Sequence, residues 1–162
     1  MLAPDAPTSI KARLTPQARA MFVGGHLVAQ YEYLVRPSIE SGTTTLLDSY
    51  YYKLLAKERL LGFAHPSLEM LCAELPQPDH VIYISVDPEE SLRRKRGVIS
   101  PYEHFPSTGP SSYVEFQRAL GAAMLASLEH IPHVVLDGSL ARAELTKLAM
   151  ISIRELSGQE LA

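Results

Sequence analysis

Residues 80–96 read HVIYISVDPEESLRRKR, and the reading of the fold turns on where this run changes character. From His80 to Val86 the side chains are β-branched, aromatic or apolar without regular alternation, as expected of a parallel strand covered on both faces. At Asp87 the pattern breaks. Asp87 can cap a following helix, Pro88 suits its first position and Glu90 can complete a capping box. A buried strand feeding directly into a capped helix is the opening of a βαβ unit.

The same alternation extends in both directions. His133 to Leu136 predicts another short strand, ending at Asp137-Gly138, and a final amphipathic helix comes after it with Leu145, Leu148, Ala149, Ser152 and Leu156 on one face. Between the two strands, Ser112 and Glu115 are placed to cap a helix running to about His130, with Tyr113, Phe116, Leu120, Met124 and Leu128 in register. Toward the N-terminus, Thr43 to Leu47 follows Gly42 and predicts a third buried strand that stops at Asp48.

Before it, a helical period from Pro16 runs through Ala18, Met21, Phe22, Gly25, Val28, Val35 and Ile39, and Pro37 is expected to bend or restart the last turn. Leu27, Tyr31 and Leu34 form a second stripe, which predicts burial on two sides of this helix, by its own sheet and by a partner subunit. Residues 1–15 read as an extended lead-in. Strands alternating with helices predict an α/β fold: a doubly wound parallel sheet with helices on both faces, in a single domain spanning 1–162.

Bulk properties agree with one packed core. The chain has 162 residues, 46% of them hydrophobic, which is enough for one domain and too short for two full ones. Fifteen basic against eighteen acidic side chains leave a net charge of −3, so no general attraction to nucleic acid or anionic membrane is expected. Cys72 is the single cysteine. An internal disulfide is excluded, and a soluble protein of the reducing cytoplasm is expected.

Ligands of parallel α/β sheets bind beyond the carboxyl ends of the strands, which draws attention to Asp48, Asp87 and Asp137. Asp87 is accounted for as a helix cap and Asp137 as a turn residue beside Gly138. Asp48 is followed by Ser49, Tyr50, Tyr51, Tyr52 and Lys53, which bring hydroxyls, aromatic faces and an ammonium to one strand end. This group serves either a ligand or simply helix capping and aromatic packing. Arg93, Arg94, Lys95 and Arg96 close the capped helix just before residues 97–111, a proline- and glycine-rich loop with no period. Such a cluster is either a solvated set of cations at a helix C-terminus or a phosphate clamp. The loop is either a functional lid or a disordered segment. The six histidines are scattered, so no metal site is expected.

The order of these segments resembles that of P-loop nucleoside-monophosphate kinases of the thymidylate kinase type. LTPQARAMFVGGHLVAQYEYLVRPSIESGTTTLLDSYYYKLLAKERLLG is similar to the family's long helix, proline-containing turn, strand and Asp-Arg-Tyr or Asp-Arg-His motif; PDHVIYISVDPEESLRRKRG resembles its next strand, Pro-Glu helix and arginine-bearing lid. The resemblance covers Leu14 to Leu156. It implies ATP-dependent phosphoryl transfer to a nucleoside monophosphate, dTMP or a related nucleotide, with ATP and Mg2+ and without nucleic acid or membrane. It also implies a homodimer through the helix of residues 16–40.

Position by position, the resemblance places Asp48 near the transferring phosphates and magnesium. Arg94 and Arg96, beside Arg93, fall on the lid, and Tyr50, Tyr51 and Tyr52 lie near the acceptor nucleotide. Two positions depart from the pattern. Ser49 stands where the family has the Arg of its Asp-Arg pair, and His26 where a helix Arg faces the acceptor; Lys53 offers one replacement cation. A Gly-x-x-x-x-Gly-Lys-Ser/Thr loop occurs nowhere in these 162 residues. The family's first strand carries that loop, so the expectation is either an N-terminally shortened form of a longer kinase or a chain that has repacked the gap. A non-catalytic nucleotide-binding or regulatory relative is the alternative.

Overall fold

A computed structural model of the chain describes residues 14–96, 98–100, 102–105 and 110–156. The expected lead-in lies largely outside these residues, since 1–13 are not among them. Contacts gather the chain into two compact units, Met1–Pro76 and Gln77–Ala162, which are described in turn.

The regular elements described in the first unit are all helices. Helix α1 spans Pro16–Gln30, with Pro16 in its first turn and the Thr15 side chain accepting from the Ala18 N–H at 3.2 Å. Its register then widens. Tyr31–Val35 is a π-helical turn in which the Arg36 N–H reaches back to the Tyr31 carbonyl, and a short helix α2 resumes at Arg36–Glu40. Pro37 sits in the first turn of α2, where its missing N–H and fixed φ are tolerated; the expected restart is the one observed. Helices α3 (Tyr51–Leu60) and α4 (Pro66–Ala73) complete the unit.

Ala20, Tyr51, Leu68, Cys72 and Leu75 form its core, with Leu27, Val28 and Tyr31 packed against them. The residues turned inward are Ala20, Gly24, Leu27, Val28, Tyr31 and Val35, so the predicted stripe is divided: Val28 and Val35 face the packed side, and Met21, Phe22, Gly25 and Ile39 are exposed. Both stripes have helical spacing, and only the approach of a neighbour chooses which members turn inward. Gly24 permits that approach: a Cβ there would collide with Leu71 and touch Leu68 of α4. Cys72 is 1% exposed, and burial pushes its thiol up to about 11, which makes it an inert core residue.

A buried ion pair ties α1 to α3. The Arg19 Nε donates to Glu58 Oε2 at 2.9 Å, a second guanidinium nitrogen pairs with Oε1, and the Phe63 ring lies 4.2 Å from the guanidinium carbon. The two residues are 3% and 4% exposed.

The second unit holds the sheet. Strands β1 (Val81–Ser85) and β2 (His133–Asp137) pair in parallel, with Val81 opposite His133 and Ser85 opposite Asp137. Around them run α5 (Pro88–Arg94), α6 (Pro110–Leu128) and α7 (Arg142–Leu156). Asp87 caps α5 as expected, accepting from the Glu90 N–H at 3.0 Å. Glu90 does not close the capping box, because its carboxylate holds two arginines of the same helix instead.

Helix α6 starts at Pro110, earlier than the predicted cap at Ser112, whose hydroxyl donates to the Phe105 carbonyl at 3.1 Å. Its predicted inward register holds: Tyr113, Phe116, Leu120 and Leu128 are buried. In α7 the predicted face holds through Ser152, which pairs with His80 Nε2 at 2.9 Å, while Leu156 is exposed. Among the described residues no helix is long and apolar enough to cross a membrane.

The expected strand at 43–47 is not formed. This stretch has no regular structure and pairs with no strand among the described residues, and Leu46 is 79% exposed. Gly42, at φ +72°, turns the chain out of α2, and the Thr43 N–H closes on the Ser38 carbonyl at 2.9 Å. A β-branched, apolar composition favours extension, but a strand exists only through a ladder. Both strands of the described sheet lie in the second unit. The architecture is a helix-rich α/β chain with a small parallel sheet. Two strands do not make a doubly wound sheet, and Ile84 and Val135, adjacent in register and so on opposite faces, are left substantially exposed.

Candidate functional site

In the first unit, a groove runs along α1. Leu27, Gln30, Tyr31, Leu34 and Val35 form one wall, and Leu46, Leu47, Asp48, Ser49 and Tyr50 the other, enclosing about 190 Å3. The stripe Leu27, Tyr31 and Leu34, read in the sequence as a second apolar face, is thus a groove wall. Gln30 belongs to the site and was missed. Its signal is a polar residue three positions after Leu27, within that stripe.

Asp48 and Ser49 meet the groove in unusual local states. Ser49 has φ +72°, a left-handed conformation that costs a non-glycine residue about 1–2 kcal/mol and tends to be retained where a site requires it. The Asp48 carboxylate makes no hydrogen bond or ion pair among the described residues. Tyr50 occupies the N-cap of α3 and no side chain caps that helix, so capping does not account for Asp48.

Aromatic packing does account for much of the adjoining tyrosine run. The Tyr50 and Tyr51 rings lie 4.5 Å apart and those of Tyr51 and Tyr52 4.2 Å apart. The Tyr51 hydroxyl donates to that of Tyr52 at 2.8 Å, and the Tyr50 hydroxyl to the Pro76 carbonyl at 3.0 Å. Burial pushes the Tyr50 phenol up to about 12 and raises that of Tyr52. Tyr51 is a core residue and stands outside the groove, as do Lys53 and His26, both exposed.

The second unit holds the arginines. Arg93 grips Glu90 with two hydrogen bonds of 2.6 and 2.7 Å, and Arg94 Nε adds a third at 2.7 Å. Together they hold the Glu90 carboxyl down at about 2. Arg94 also donates to the Gly138 carbonyl at 2.9 Å, so it fastens α5 to the turn after β2. Arg96 has φ +51° and is exposed, and its guanidinium has no partner among the described residues. Asp137 is a turn residue: the Ser139 N–H donates to it at 2.8 Å, and that bond, with Ser139's side chain and the nearby Arg94 charge, lowers its carboxyl.

Part of the expected lid is fastened. Lys95 pairs with Glu103 at 2.9 Å, Gln117 donates to the Glu103 carbonyl at 3.2 Å, and the Phe105 ring meets Phe116 edge-on at 5.3 Å. Positions 97, 101 and 106–109 of that loop lie outside the described residues.

Gly138 makes the turn after β2 possible. Its N–H donates to the Ser85 carbonyl at 2.7 Å, and an added Cβ would collide with Val86 and lie 2.9 Å from both Ser85 O and Ile84 Cγ2. Backbone cannot step aside as a flexible side chain can. Gly138→Ala is therefore expected to lower stability by about 1–3 kcal/mol, read as a shift of the urea midpoint; a shift near zero would mean the turn after β2 relaxes freely.

A small parallel sheet with helices around it is compatible with the α/β fold of nucleotide kinases. The relatives point the same way. The chain is 32% identical over 99 residues to a protein named "Probable thymidylate kinase" from Archaeoglobus fulgidus, covering 59% of this chain and 50% of that protein. It is 29% identical over 86 residues to the Thermococcus gammatolerans protein of the same name, 53% of this chain and 41% of that one. With the Thermococcus kodakarensis protein, also so named, identity is 24% over 152 residues, 92% of this chain and 70% of the relative. The chain spans about half the length of the first two. No protein-family model matches it. The relationship these matches support is distant and thymidylate kinase-like.

Proposed function

We propose that this chain carries the acceptor and lid portions of a nucleotide kinase-like protein, which in its full-length form transfers a phosphoryl group from ATP to thymidylate or a related acceptor. The observation that carries the reading is Asp48: an unpartnered carboxylate, among the described residues, on a groove and next to a residue held in a left-handed conformation. Kinship with proteins named as thymidylate kinases agrees with it. Among the described residues no group of three or more His, Cys, Asp or Glu could hold a metal ion. Mg2+ would arrive on the donor's phosphates, as it commonly does in phosphoryl transfer.

Of the cluster Arg93, Arg94 and Arg96, Arg96 is the one proposed for those phosphates, since Arg93 and Arg94 are engaged by Glu90. The proposed assembly is a homodimer through the outer face of α1, where Met21 and Phe22 are exposed, and the proposed compartment is the cytoplasm. A non-catalytic, nucleotide-binding relative is the second reading, favoured by Arg94's commitment to Glu90 and Gly138.

Differential scanning fluorimetry with MgATP, ADP and nucleoside monophosphates, run beside a turnover assay, separates the two. A ligand at about 100 times its Kd stabilises by roughly 2.7 kcal/mol, and the Arg96→Ala chain is expected to lose most of the response to MgATP while remaining folded. Stabilisation of this chain with no turnover by the full-length form selects the non-catalytic reading, and a melting curve indifferent to every nucleotide removes both.

A further inference from the structure

Glu90 stands at the third position of α5, where a glutamate ordinarily reaches back to the N-cap N–H. Here it turns the other way. Arg93 Nε and Nη2 donate to its two oxygens at 2.6 and 2.7 Å, and Arg94 Nε donates at 2.7 Å to the oxygen that Arg93 Nη2 already holds. Two guanidiniums repel unless an anion lies between them, and a carboxylate gripped through both oxygens presents to them the oxygen pair that a phosphate would. Arg94 is fixed from a second side. Its Nη1 donates at 2.9 Å to the Gly138 carbonyl, in the turn after β2, which is the carboxyl end of the strands, where parallel sheets bind ligands.

The arrangement is open to exchange. The Arg93 and Arg94 side chains keep 75% and 46% of their surface exposed, against 27% for Glu90, and ion pairs this open to solvent are weakly held. Protonation does not release them, because hydrogen bonds from Arg93 and then Arg94 hold the Glu90 carboxyl down at about 2 and it stays ionised near neutral pH. What displaces it is another anion with more charge to offer, as phosphate groups have. The neighbouring carboxylate, Glu89, answers to a different arginine, Arg118, at 2.9 Å. Resting on the kinase-like reading above, we propose that Glu90 is an internal stand-in for a ligand phosphate: it engages Arg93 and Arg94 until the polyphosphate of a nucleotide takes its place, and so sets how tightly that polyphosphate is held.

Isothermal titration calorimetry on the full chain tests this, using inorganic pyrophosphate and MgATP as separate titrants. Glu90→Gln keeps the shape of the side chain and removes its charge. It is expected to tighten both titrants about threefold to fivefold, the factor set by deleting one charge a few ångströms from an anion in solvated surroundings. Glu89→Gln makes the same change of net charge one residue away without freeing Arg93 or Arg94, and should move either affinity by less than about 1.5-fold. In an Arg94→Ala background the gain from Glu90→Gln should shrink below about twofold, as coupled residues require. Each variant is checked for folding by circular dichroism, and tighter binding is not what a merely structural loss produces. Affinities unmoved or weakened by Glu90→Gln, or tightened equally by Glu89→Gln or without Arg94, overturn the inference and leave the kinase-like reading standing where MgATP binds. Refusal of both titrants by the parent chain and by Glu90→Gln alike removes both.

Discussion

Replacing Glu58 with alanine is expected to cost about 3–5 kcal/mol, the loss typical when one member of a buried ion pair is removed. Arg19 keeps its charge at any accessible pH, and with 3% of its surface exposed it cannot recover by turning to water. The Phe63 ring beneath it offsets part of the loss, since a cation over an aromatic face gains about 0.5–2 kcal/mol. Urea unfolding would show the midpoint falling at nearly unchanged slope. The double replacement Arg19→Met with Glu58→Leu should recover most of the loss, because it leaves no charge to be held in the buried site. A single-variant loss below about 1 kcal/mol, the scale of solvated pairs, would show that Arg19 reaches solvent.

Phe116→Ala is the second large effect, at about 3–5 kcal/mol for truncating a fully buried phenylalanine. Phe116 is 0% exposed and is the surface on which Phe105 rests. The variant should therefore lose more than stability: cleavage by a protease of broad specificity should rise within residues 98–105, as the loop loses its ring contact while keeping ties such as the Lys95–Glu103 pair and the Gln117 and Ser112 bonds. A destabilised variant whose loop is cut no faster than the parent's would show that Phe105 is not the anchor. The two substitutions also fall in different compact units. Should the chain unfold as the single domain expected from its length, both will lower one shared transition; separate transitions, each moved by one substitution, would mark two domains.

Elements whose causes lie within a few residues of themselves were legible. The Asp87-Pro88 start of α5, the Pro37 restart, the inward register of α6 and the turn role of Asp137 all arise from local hydrogen bonding or helical spacing. So does the parallel relation of the strands near 81–85 and 133–137 from their alternation with helices. The site was legible in part. Asp48, Ser49 and Tyr50 were marked by clustered chemistry and do share a groove. Tyr51, Lys53 and His26 carry equally suggestive side chains, yet one is buried in the core and two are exposed to solvent.

What the amino-acid order determined by itself was therefore the local grammar: where helices start, which residues can cap them, and that two apolar stripes run along the helix that begins at Pro16. Tertiary structure alone decided which members of each stripe would turn inward, that Thr43 to Leu47 would find no ladder partner among the described residues, and that Arg94 would serve Glu90 and Gly138. The physical reason is the same in each case. Strand pairing, the burial of a face and the partner of a charge are properties of two segments brought together, and no single segment's composition contains the other half.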